Sequence, residues 1–126
     1  MWHTAEIVKI FEKMTEGYGY DIYQNRKLCV ALCNDLFDDY SVEKNIMQML
    51  FQAGLGEAMK GVPFKSEREL KMGLSNIEKF LMAQAIESSV RDDVLDVMRL
   101  AFVDKGVNSE VKSAYQPVIS DNKAVL

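Results

Sequence analysis

Cys29 and Cys33 stand four residues apart in NRKLCVALCNDLFDDY (residues 25–40), and the aspartates Asp35, Asp38 and Asp39 follow them. Thiolates beside carboxylates are the raw material of a metal or redox centre. A structural zinc site needs a full tetrahedral set of ligands, and the chain adds only one histidine, His3, near its start. The spacing is not the C-x-x-C of thiol oxidoreductases, and a disulfide between positions one turn apart on a single helix is geometrically difficult. On a helical wheel both cysteines fall within the arc of Leu28, Leu32, Leu36 and Phe37, while Asn34 and Asp35 face away from it. The thiols are therefore expected to point inward as small apolar side chains, with no metal and no cofactor.

The aspartates form two clusters, Asp35/Asp38/Asp39 and Asp92/Asp93/Asp96. Neither has the alternating oxygen ligands, central glycine and closing glutamate of a calcium loop. Each reads first as a solvated face or turn and second as a surface for a basic partner. No phosphate-binding loop, nucleophile elbow, zincin or dinucleotide fingerprint occurs. Histidine-dependent chemistry would rest on His3, which is expected to lie on a frayed chain end.

The elements that must position these residues are helical. The periodicity predicts a helix over about Thr4–Glu16, stopped at Gly17 and Gly19, and a second from an Asn25 cap to near Phe37. A third runs from a Ser41 cap to Ala53, with Gly54 closing it. Its apolar residues Val42, Ile46, Met47, Met49, Leu50, Phe51 and Ala53 cover more than half the wheel, which predicts a central helix. At most one short turn is allowed around Glu57–Lys60. Ser66 and Glu69 form a capping box for a helix with the stripe Leu70, Leu74, Ile77, Leu81 and Ala85, in which Gly73 suggests a close crossing. A last helix is expected from a Ser89 cap, with Asp92 and Asp93 in its first turn, to Gly106. The expectation is an all-α compact bundle of four to five main helices over residues 1–106, with an irregular tail over 107–126.

The 126 residues are 48% hydrophobic and 27% charged, enough to build one core and outside the range of a disordered chain. No apolar run approaches the roughly 20 residues of a membrane span. The N-terminus lacks the pattern of a secretion signal, so the cytoplasm is expected. The net charge of −4, with no basic stripe interleaved with aromatics, argues against nucleic acid.

Across NRKLCVALCNDLFDDYSVEKNIMQMLFQAGLGEAM, the residues Arg26, Leu28, Leu32, Asp35, Leu36, Ile46, Leu50 and Gly54 resemble a small helical module that recurs in bacterial multidomain proteins. Together with FLMAQAIESSVRDDVLDVMRLAF the resemblance spans about residues 20–103. It implies an accessory role beside signalling, chaperone-like or zinc-ribbon parts. The resulting functional expectation is a non-enzymatic protein-binding module that uses an exposed helical groove or face, with another protein as partner and no membrane. One alternative is a small acidic inhibitor or immunity-type protein that meets a basic partner through Asp35, Asp38, Asp39, Asp92, Asp93 and Asp96. A second is a ligand-binding bundle using Tyr18, Tyr20, Tyr23 and Arg26. Trp2, Tyr20, Phe64 and Tyr115 lie outside the core stripes and leave a homo-oligomer open, and most of the eight methionines are expected to fill the core.

Overall fold

The computed structural model describes residues 2–103, so the 107–126 tail, Gly106 and Tyr115 lie outside the described residues. Among these residues six helices form an all-α bundle: α1 (Thr4–Tyr18), α2 (Arg26–Leu36), α3 (Ser41–Ala53), α4 (Leu55–Ala58), α5 (Glu67–Ala83) and α6 (Ser88–Ala101). A 3₁₀ turn, Tyr20–Gln24, joins α1 to α2. The helices pack α2 on α3, α1 on α6 and α6 on α5.

α1 buries Ile7, Val8, Phe11 and Met14, the apolar stripe that its sequence spaces at helical intervals. It runs through Gly17 and stops at Gly19, whose φ of 80° is the left-handed region that glycine enters without penalty. α2 starts where expected, Asn25 Oδ1 accepting from the Leu28 N–H at 3.0 Å. α3 ends on Gly54 at φ 118°, whose N–H donates to the Leu50 and Phe51 carbonyls. Arg26 finishes that end, donating from Nη1 to the Gln52 carbonyl at 3.1 Å and pairing with Glu57.

The serine caps expected for the helices have different outcomes. Ser66 Oγ accepts from the Glu69 N–H at 3.1 Å, and Glu69 Oε1 reaches back to the Lys65 N–H at 2.9 Å. Ser89 does not cap α6, because the helix begins one residue earlier with Glu87 as its N-cap and no side-chain cap bond. Ser41 likewise is the first helical residue of α3 and not its cap, a place taken by Tyr40.

The core is centred on α1 rather than α3. Phe11 meets Tyr23, Phe37, Phe51 and Phe102 at ring separations of 6.0, 6.0, 6.2 and 5.5 Å, three of them edge-on. Such aromatic pairs add about 0.5–1.5 kcal/mol each beyond their area burial. α3 buries Met47, Leu50 and Phe51 against the core but leaves Val42 and Met49 exposed.

Phe64, which falls outside the periodic stripes, is nonetheless buried. Its N–H donates to the Phe102 carbonyl at 2.9 Å, and its ring occupies the space a side chain at Gly73 would need. The close approach that Gly73 allows is thus with a loop aromatic rather than a second helix. No described helix is long and apolar enough to cross a membrane.

Candidate interaction surface

Cys29 and Cys33 are fully buried free thiols, inward as the wheel predicts. Cys29 Sγ donates to the Ile22 carbonyl at 3.3 Å. Burial pushes the Cys29 thiol up to about 11 and Cys33 to about 12, the neighbouring Cys29 adding to the second, so neither is poised as a nucleophile. Among the described residues no group of three or more histidine, cysteine or carboxylate side chains is arranged to hold a metal ion.

The polar-aromatic group of Tyr18, Tyr20, Tyr23 and Arg26 does not assemble into a site. Tyr23 is fully buried in the core, its hydroxyl donating to the Phe11 carbonyl at 2.9 Å and bonded to Thr15 Oγ1 at 2.7 Å, and burial raises it well above the ordinary tyrosine range. Tyr18 is exposed, Tyr20 half-buried, and Arg26 serves the end of α3.

Of the acidic residues, Asp35, Asp38, Asp39 and Asp92 are exposed. Asp38 engages Lys44 at 3.3 Å, and Asp96 engages Arg99 at 3.0 Å. Asp93 is held above the usual carboxylate range by burial, then by the charges of Asp96, Asp92 and Glu43, against a smaller downward pull from the positive amino terminus. Glu43 lies in the first turn of α3, so Asp93 of the second cluster is within electrostatic reach of the helix that follows the first cluster.

Glu43 is the site that sequence reasoning missed. It is 1% exposed and the only buried charged residue among those described. Its Oε2 accepts from the His3 backbone N–H at 2.7 Å and meets His3 Nδ1 at 2.7 Å, while the His3 ring packs at 4.9 Å from that of Tyr40. Burial alone would raise Glu43, but the His3 side-chain bond, its own backbone bond and the His3 backbone bond together hold it below the ordinary range. His3 is therefore fastened to α3 and not frayed. The signal was present: on the wheel Glu43 falls between Leu50 and Met47, inside the apolar arc. Trp2 packs against the core beside it, with Nε1 buried and without a hydrogen-bond partner.

Besides Tyr18 on α1, exposed large apolar side chains stand on α3 and α5. Val42 and Met49 on α3 and Met72 and Met82 on α5 are 58%, 45%, 59% and 57% exposed. On α3, Val42, Ile46, Met49 and Ala53 repeat at intervals of four, three and four, the spacing of a seam against another helix. Of the methionines described, Met14, Met47, Met59 and Met98 fill the core, and Met49, Met72 and Met82 do not.

Between α4 and α5 lies a cleft of about 390 Å³ with Phe64 and Gly73 among its lining residues and Met72, Asn76, Lys60 and Glu57 beside them. Glu57 there is held below the ordinary range by its own backbone N–H and by Arg26. Sequence reading had both Gly73 and Phe64 as oddities but no means of bringing them together. No known protein family matches the sequence, and neither the curated proteins nor the solved structures contain a match to it.

Proposed function

We propose that this chain is a non-enzymatic, cytoplasmic protein-binding module, an accessory unit that engages another protein through the outer faces of α3 and α5. The observation that carries this reading is the set of large apolar side chains left in water on those two helices, Val42, Met49, Met72 and Met82, in a bundle whose core is otherwise closed. Unbranched methionine side chains adapt to a partner's contours, and the Met72 cleft supplies concave relief beside them.

The reading is tested by affinity purification of the tagged protein, comparing wild type with Met49→Lys and Met72→Lys, and separately with Asp38→Lys/Asp39→Lys and with Asp92→Lys/Asp93→Lys. Loss of a partner with the methionine variants and its retention with the aspartate variants supports the apolar surface. The reverse pattern transfers the function to the acidic face and to an inhibitor of a basic protein. In that second reading Asp93 matters most, because burial and neighbouring charge already disfavour its ionisation and a cation would relieve it. Asp38 and Asp96, which have cationic neighbours of their own, offer less.

A further inference from the structure

Trp2 and His3 form a short strap across the start of α3, and the bond that fastens it is made to a carboxylate that has no access to water. We propose that this strap is an acid-released latch, held closed by the Glu43 carboxylate and freed when that carboxyl takes up a proton.

The geometry supplies the closing force at one atom. Glu43 Oε2 receives both the backbone N–H and Nδ1 of His3, each at 2.7 Å, and the Tyr40 ring lies against the imidazole. A carboxylate at Nδ1 favours the ring form that carries a proton on that nitrogen, which then donates to Oε2. Protonating Glu43 is what breaks that bond. Because the hydrogen bonds from His3 hold Glu43 below the ordinary range, its contribution is present above that range and is lost as pH falls through the lowered value.

From α6, Asp93 faces Glu43 as a like charge: its burial and the charges of Asp96, Asp92 and Glu43 disfavour its ionisation, the positive amino terminus opposing them. A second observation makes release easy: the Trp2 indole N–H is buried without an acceptor and regains one in water on opening.

The strap carries the chain's only tryptophan and only histidine, which gives it a private spectroscopic signal. Acrylamide quenching of Trp2 emission is followed from about pH 3 to about pH 8 in the full chain and in Asp93→Asn, Glu43→Gln and His3→Ala, with far-UV circular dichroism recorded on each sample. The wild type is expected to be protected at neutral pH and to show a rise in quenching of about twofold or more as pH falls toward about 3, while helicity is unchanged. Asp93→Asn, which leaves the Glu43–His3 bonds in place, should keep that rise. Glu43→Gln should quench strongly and without pH dependence. If circular dichroism shows that it fails to fold, His3→Ala must give the open signal instead. Quenching in the wild type that ignores pH, a low-pH rise that vanishes in Asp93→Asn, or a folded His3→Ala as protected as the wild type would each overturn the latch.

Discussion

The thiols offer the sharpest test of the core. At about pH 8 an ordinary thiol is about one-quarter ionised, whereas one raised to about 11, as Cys29 is, is about one part in a thousand thiolate. Ionisation alone thus slows thiol–disulfide exchange by about two orders of magnitude at Cys29 and by about three at Cys33, raised to about 12. Both side chains are also fully buried, so a bulky aromatic disulfide reagent must wait for the bundle to open. Labelling should track unfolding, remaining slow in buffer and accelerating in step with the loss of helicity as urea is added. Fast modification of both sulfurs with helicity intact would refute the placement of α2 against α3. The same shifts predict an alkaline limb in stability. The folded values are raised, so the thiols' contribution is intact below the ordinary range and is lost as pH climbs through about 11 and about 12. Above the ordinary range each thiol should remove about 1.4 kcal/mol per pH unit until its own raised value is passed, and Cys29→Ala/Cys33→Ala should flatten that part of a pH series of melting temperatures.

Ser66→Ala should lower stability by about 1 kcal/mol in urea titration through loss of the Glu69 N–H bond, while Ser89→Ala, inside α6 and without a cap bond, should change it by less than about 0.5 kcal/mol. Gly17→Ala should stabilise by about 0.4–1 kcal/mol, because Gly17 is helical and an added Cβ would meet nothing. Gly56→Ala should instead destabilise the fold by about 1–3 kcal/mol, since the new carbon would overlap the Tyr23 carbonyl. Phe11→Ala, which leaves four aromatic rings without their shared neighbour, should cost about 3–5 kcal/mol and shift the thermal midpoint accordingly.

Local signals in the sequence were most reliable where a side chain acts on its own helix. Asn25, Ser66 and Gly54 each do what their chemistry prescribes within a turn of their own position, and the wheel placed both cysteines correctly. Prediction failed where a distant residue decides. The apolar width of α3 suggested a central helix, yet Val42 and Met49 face water, because periodicity counts apolar residues without knowing how many neighbours will arrive to cover them. His3 and Glu43 are forty positions apart, and Phe64 reaches Gly73 from a loop with no period of its own. The six aspartates were legible as charged surface, but the electrostatic link between Asp93 and Glu43 joins residues fifty positions apart on two helices.

The contact between Phe11 and Phe102 joins the first helix to the end of the last one, with nearly all of the described chain between them. During synthesis α2 and α3 can pair, and Phe11 can meet Tyr23, Phe37 and Phe51, before α6 exists, but α1 then lacks its α6 neighbour. The nascent chain therefore carries the α6-facing side of its first helix uncovered until residues 88–102 have been made, and closure of the described bundle waits for them.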